Sequence, residues 1–498
     1  MITPNLEQFL TLAREYPVVP IELKVLGDGL SPITLYQAIR GRSRYSFLLE
    51  SVQGGESRAR YSFIGWDPRE IFGSLDGKPF LSRGDGSPER NPSPPLEYLR
   101  KVGSKTTSPI LKELPPFVGG AVGYVAYDAA PLFGDVQLRE RAGAGTPEVF
   151  FMTFDRVLCF DHLRHTLSLI ANVFPREGLA PAELYKQTVA QLTDLYATLS
   201  SPPPLRQLPV PVRTGDVAVP TKSTFEHDAF VAAVGKVREY IKSGDIFQGV
   251  LSQRFTVPVG SADPLDIYRV LRFLNPSPYM YCLNFGSFQV VGTSPEALVR
   301  LQGDDVEVRP IAGTRKRGMT PEEDAALEVE LRRDPKERAE HIMLVDLGRN
   351  DVGRVSKYGS VEVTELMNVE RYSHVMHLVS NVRGKKKPEL DALDVFAAGF
   401  PAGTVTGAPK IRAMQILDEL EPERRGLYAG GIGYFSYTGQ MDSCIAIRTM
   451  VIQDGEAHLQ CGAGIVADSD PEAEYQETVN KGKALMQALA VVARADGK

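Results

Sequence analysis

Phe247-Gln248-Gly249-Val250-Leu251-Ser252-Gln253-Arg254-Phe255-Thr256-Val257 is the stretch on which the fold class turns. Phe247, Leu251, Phe255 and Val257 share one parity and Gln248, Val250, Ser252 and Arg254 the other, the period of two that a β-strand imposes. Just upstream, Phe230, Val234, Val237 and Ile241 recur at helical spacing over 228–243 and stop at Gly244. The apolar period thus changes from 3.6 to 2 within a few residues.

Outward from this switch, further strands are expected at 288–301, 305–311, 371–382, 430–437, 442–453 and 457–466, with Gly303-Asp304-Asp305 and Asp454-Gly455 as hairpin turns. Helices are expected at 321–333, 335–347, 391–398, 409–420 and 471–493. Asp334-Pro335 and Asp470-Pro471 each supply an N-cap and a first-turn proline. Runs of strands separated by single helices indicate an α+β fold with largely antiparallel sheets. The N-terminal part offers shorter strands at 45–50, 60–64, 119–127, 149–160 and 166–173.

Ser200-Ser201-Pro202-Pro203-Pro204 and the prolines at 209, 211 and 220 suit neither helix nor interior strand. Residues 200–222 are therefore read as a connector between an N-terminal region, 1–199, and a C-terminal region, 223–498. At 498 residues, 43% hydrophobic and 24% charged, the chain can bury a large core. Its net charge of -6, with acids and bases interspersed, excludes the basic stripe of a nucleic-acid binder. The N-terminus lacks a signal-peptide pattern, and no apolar run approaches the length of a membrane span. Four scattered cysteines, each in a strand-like segment, suit a reducing compartment, so a cytoplasmic protein without membrane attachment is expected.

Two helices carry Glu-x-x-Glu, Glu337 with Glu340 and Glu474 with Glu477, a spacing that puts each pair on one face. Oxygen ligands without paired His or Cys select a hard cation such as Mg²⁺, although acidic helix faces are also commonly solvated or bridged to lysine. Lys481 shares the face of Glu474. Glycine-rich segments at 310–315, 403–410 and 461–465 allow backbone N–H groups to approach an anion closely. Arg448, read on a strand face with Cys444, Ala446, Met450 and Ile452, needs a carboxylate from either the protein or a substrate. His377, among Ser373, Val375 and Val379, suits a structural role or a catalytic one.

Together, Gly244 to Gln248, Ser294-Pro295-Glu296, Pro310 to Thr314, Glu340 to Asp351, Tyr372 to Leu378, Phe400 to Lys410 and Glu474 to Glu477 resemble, in order, the chorismate-utilising enzymes. The resemblance is closest to component I of anthranilate synthases. It implies two orthogonally packed, largely antiparallel β-sheets flanked by helices, with the active site in the cleft between them. It implies amination of chorismate at C2 with ammonia, then pyruvate elimination to anthranilate, the first committed step of tryptophan biosynthesis. It places Mg²⁺ on Glu340 and Glu477, with Glu337 and Glu474 in an outer shell. Gly313, Thr314, Thr404, Tyr428, Arg448, Gly462, Ala463, Gly464 and Lys481 become chorismate contacts, and Glu296 and His377 the acid and the base.

Among these relatives, aminodeoxychorismate synthases, the alternative reading, carry a nucleophilic Lys where this chain has Ala312. Isochorismate and salicylate synthases carry a Lys that activates water where it has Gln248. Neither residue supplies a basic nitrogen, which leaves ammonia as the nucleophile. Leu48 to Ser51 and Asn275 to Met280 resemble a tryptophan feedback site, with Ser51, Pro278, Tyr279 and Met280 as its contacts. No cysteine sits in Gly-x-Cys-x-Gly and no histidine in His-x-Glu, the elements of a class I glutaminase, so a separate glutamine amidotransferase subunit is expected, in a heterotetramer.

Overall fold

A computed structural model describes residues 1–495 apart from 53–59, 85–88, 90–91, 105–106, 140–144, 176–178, 212–220 and 372–374. Part of the expected connector and Tyr372-Ser373-His374 lie outside the described residues. Two sheets, of 13 and 11 strands, organise the chain. Their ladders are antiparallel, as the expected fold class requires, and both mix strands from either side of the proline-rich stretch. Tyr45–Glu50 pairs with Tyr279–Phe285 in the larger sheet, and Gly120–Val125 with Gly431–Ser436 in the smaller.

Alternation along the strands builds the layers. Phe47 and Phe63 point into an apolar core between the sheets, while Leu48 and Ile64, one residue on, point to helices outside the larger sheet. Within the central core, Phe47 meets Phe154 edge-on at 4.8 Å, and Phe63 meets Phe117 at 5.5 Å. Such contacts add about 0.5–1.5 kcal/mol each beyond burial. A second set of helices covers the smaller sheet.

Several expected single strands are two. Residues 288–301 divide into Gln289–Ser294 in the larger sheet and Ala297–Gln302 in the smaller. Residues 149–160 and 442–453 divide the same way, into Val149–Phe154 and Arg156–Asp161, and into Met441–Ile445 and Thr449–Gln453. These breaks are the corners at which a strand leaves one sheet for the other, the device by which orthogonal sheets share strands. Arg448 therefore does not lie in a strand interior: it stands at a corner with φ 51°. Pro310, which has no N–H to donate, separates Asp305–Val308 from Ile311–Lys316, although both pair with Val375–Lys385. Phe247 precedes the strand Gln248–Pro258 and is 72% exposed, contrary to its parity.

The helices follow their caps. Pro321–Arg333 matches expectation, and in Pro335–Val355 the Asp334 carboxylate accepts from the N–H groups of Lys336 and Glu337 at 2.9 and 3.2 Å. This helix continues past Gly348, because that glycine packs against the sheet: a Cβ there would lie 3.0 Å from Val308. No helix among the described residues is long and apolar enough to cross a membrane.

Candidate active site

Pro335–Val355 lies against the smaller sheet and Pro471–Ala495 against the larger, and charges on one helix are felt on the other: Glu477 by Glu340, and Lys336 by Glu474. Glu340 is held above the usual carboxylate range, first by burial and then by repulsion from Glu337 and Glu477, with Lys336 and the Gln248 amide opposing the shift. Glu474 is also raised, first by burial, against a hydrogen bond from Ser469, while the Glu477 charge pushes the same way. Glu477 pairs with Lys481 at 2.5 Å, and Glu337 with Arg315 at 2.9 Å. Among the described residues, no group of three His, Cys, Asp or Glu side chains is gathered tightly enough to enclose a metal ion.

Glu296 occupies the corner between Gln289–Ser294 and Ala297–Gln302. Burial raises its carboxyl to about 7, and the Thr404 hydroxyl and the Lys481 charge hold the shift in check. The Thr404 oxygen is buried without a hydrogen-bond partner meeting strict geometry among the described residues, so it neighbours Glu296 rather than binding it firmly. Nδ1 of His377 lies 3.0 Å from the Gly313 carbonyl and 3.1 Å from the Thr314 hydroxyl. Donation to the carbonyl places the proton on Nδ1 and makes Nε2 the basic nitrogen. Burial lowers the His377 pKa, and the Arg448 charge lowers it further against the Gly313 bond, which keeps the ring neutral at pH 7.

The glycines of Glu456–Ile465 pack closely against Tyr428 and Gln248. A Cβ on Gly462 would lie 2.5 Å from the Tyr428 hydroxyl, and one on Gly464 would lie 2.8 Å from Gln248 Nε2, so a side chain at either position would displace the polar tip of its neighbour. Ala463, of opposite parity, turns its methyl into the apolar cluster of Phe230, Val234 and Leu417 and offers the cleft only backbone. Lys481 donates to the Gly462 carbonyl at 2.9 Å, and the Arg448 charge is felt by both Tyr428 and His377. Electrostatic influence thus links Arg448 to His377 and Tyr428, Lys481 to Glu296 and Glu474, and Glu340 to Glu337, Glu477 and Gln248.

The sequence model of chorismate-binding enzymes matches residues 44–487. Anthranilate synthase component 1 of Acetivibrio thermocellus is 44% identical over 98% of this chain and 99% of its own, and that of Pseudomonas putida is 45% identical over 99% and 100%. The chain belongs to the anthranilate synthase component I family. The crystal structure of anthranilate synthase component I from Streptococcus pneumoniae superposes with a TM-score of 0.75 at 41% identity, covering 86% of this chain and 92% of that one. The menaquinone-specific isochorismate synthase of Escherichia coli, 20% identical with a TM-score of 0.70 over 98% and 99%, shares the fold.

In this anthranilate synthase component I chain, Ser51, Pro278, Tyr279 and Met280 are also brought together, away from the acidic cluster, on the wall of a 750 Å³ cavity between the sheets. Tyr61, Phe63 and Tyr434 line it with Arg60 and Lys112, a mixture of aromatic faces and charge. Pro295 and Ala297, the neighbours of Glu296, also border it. The expectations from sequence did not include Arg315, which joins Glu337 to Asp334 and Glu330 at 2.9, 2.7 and 2.7 Å. Its place directly after Gly313-Thr314 was the available signal.

Proposed function

We propose that the chain aminates chorismate at C2 and eliminates pyruvate to give anthranilate, using ammonia delivered by a glutaminase subunit. Gln248 carries the reading: its amide faces Glu340 and Gly464 at the heart of the cleft, where it can hydrogen-bond but cannot activate water as a lysine would. Ala312, on the strand beside His377, likewise offers no nucleophile. Ammonia needs no such activation.

The donor set suits a hard cation, since Glu340 is raised partly by carboxylates whose repulsion a cation relieves. Glu340 and Glu477 would hold Mg²⁺, backed by Glu337 and Glu474, and the ion would supply Lewis-acid polarisation of the ring carboxylate. Arg448 and Tyr428 take the enolpyruvyl carboxylate, and the backbone of Gly462 and Gly464 lies along the ring. Glu296, protonated near neutrality, gives its proton to the C4 hydroxyl, which leaves as water while ammonia bonds to C2, and the resulting ammonium group gives up one proton to solvent to become the amine. His377 Nε2 then takes the C2 proton as the C3–O bond breaks, and the departing enolpyruvate takes up a proton to become pyruvate.

Two further elements support the biosynthetic setting. The aromatic and charged 750 Å³ cavity has the size and character to take tryptophan as a feedback inhibitor. The component 1 name of the relatives implies a second component, here a glutamine amidotransferase in a heterotetramer. Four free, buried cysteines suit the cytoplasm as the place of work. Incubation of the purified chain with chorismate, Mg²⁺ and ammonium should yield fluorescent anthranilate. Isochorismate or a 4-amino product instead would overturn the reading.

A further inference from the structure

A buried ion pair, Arg425 with Glu421, lies beside Tyr428 and has no part in the proton transfers proposed above. Arg425 is 3% exposed and Glu421 5%. Arg425 donates from Nε to Glu421 Oε2 at 2.8 Å and from Nη2 to Oε1 at 2.7 Å. Its remaining donors reach two other segments: Nη1 to the Val405 carbonyl at 2.8 Å and Nη2 to the Val250 carbonyl at 2.6 Å. Glu421 Oε1 accepts in addition from the N–H and hydroxyl of Ser252, at 2.9 and 2.7 Å. The guanidinium lies over the Tyr428 ring, 5.5 Å from its centroid, and over Tyr127 at 4.5 Å.

Each of these anchors is adjacent to a cleft residue. Val405 follows Thr404 in the turn Gly403–Val405. Val250 and Ser252 stand directly opposite Gly464 and Gly462 in the ladder. Tyr428 lies three residues beyond Arg425 itself. Burying two charges is expensive, and apolar residues of similar volume commonly serve stability as well or better. An isolated need for stability therefore does not explain the pair. A guanidinium fork with several fixed donors does what an apolar side chain cannot: it sets the mutual spacing of three backbone segments at once.

We propose that Glu421 and Arg425 are positioning residues that set the spacing of Thr404, Tyr428 and the Gly462–Gly464 wall, and thereby the affinity of the cleft for its dicarboxylate substrate. This rests on the reading of that cleft as the chorismate site. Arg425→Lys keeps the charge but, with one nitrogen, cannot satisfy both carboxylate oxygens and two carbonyls. Ser252→Ala removes one link and leaves both charges paired. Ammonium-dependent turnover of chorismate is measured for the wild type and both variants, with Tm and the active-enzyme fraction. Wild-type turnover tests the function itself, so a chain inert toward chorismate sinks that reading first. Given a working wild type, Arg425→Lys should raise KM for chorismate about tenfold or more with a smaller change in kcat, and Ser252→Ala should raise it less. A merely structural role would lower Tm and the active fraction while the surviving enzyme kept its KM. Unchanged KM in Ser252→Ala, together with unchanged KM or failure to fold in Arg425→Lys, overturns the proposal.

Discussion

Glu296 shows how a single position can be set for one half of a reaction. Its carboxyl, raised to about 7 by burial, retains a substantial protonated fraction near neutrality, where an ordinary glutamate is ionised. In the proposed mechanism the acid form is the one consumed at C4, so at fixed free ammonia kcat/KM should fall by about tenfold per pH unit once the pH passes well above 7. The same shift bears on stability with a definite sign. A folded pKa above the unfolded value contributes stability that is present at low pH and is lost as pH rises through about 7, where the buried group must ionise. Glu296→Gln, neutral at every pH, should lower kcat by about 10²–10⁴ yet melt higher than wild type at pH 8, with the difference shrinking toward pH 5. A wild-type rate that keeps rising to pH 9 at constant NH₃, or a variant with normal kcat, would remove Glu296 from the acid role. His377 is tuned in the complementary direction: burial and Arg448 lower its pKa, which suits the separate role of base proposed for it.

At the scale of elements, the acidic pairs depend on two helices that approach from different sheets, and either helix alone would present only an ordinary solvated face. Glu340→Gln or Glu477→Gln should therefore leave the melting transition near that of wild type while raising the Mg²⁺ needed for half-maximal activity by about tenfold or more. Normal activity at low Mg²⁺ in both variants would dismiss the metal assignment. Much of this arrangement was legible in the sequence. Asp334-Pro335 marks its helix start because cap and proline act locally, and Asp454-Gly455, with φ 50° and 78°, marks its hairpin for the same reason. The corners were not legible. Apolar residues continue on both sides of the corner, Val290-Val291 before it and Ala297-Leu298-Val299 after it, so hydrophobicity does not register where the strand leaves one sheet for the other at Pro295-Glu296. Arg448 was misplaced by the same continuity, and its positive φ reveals itself only in three dimensions. The strand Glu362–Arg371 went unanticipated because its register slips twice against Val375–Lys385 and Met367 adopts φ 53°, which breaks the period of two.

Over the whole molecule, the cleft and the 750 Å³ cavity are neighbours: Pro295 and Ala297 border the cavity while Glu296 between them serves the cleft. A ligand that prefers one setting of this corner couples the two sites by its differential affinity. Tryptophan should accordingly raise KM for chorismate, and Ser51→Phe, which projects a ring into the cavity, should relieve inhibition at least tenfold while kcat stays within about twofold. A wild type indifferent to tryptophan would end the feedback reading. The proposed separate source of ammonia belongs to this scale as well. Releasing ammonia from glutamine takes a thiolate with an adjacent base, and thiolates form where a thiol is exposed or faces positive charge. All four cysteines here are buried and free. Burial pushes Cys461 up to about 11 and Cys282 to about 12, and Cys159 and Cys444 are raised well above the usual thiol range. Even Cys461, whose shift Arg448 and Lys481 oppose, stays protonated at pH 7. The purified chain should thus make anthranilate from ammonium, faster at mildly alkaline pH as free NH₃ increases, and make none from glutamine until a glutaminase subunit is added. Glutamine-dependent product from the chain alone, surviving a thiol-alkylating reagent that inactivates any contaminating glutaminase, would refute the separate source.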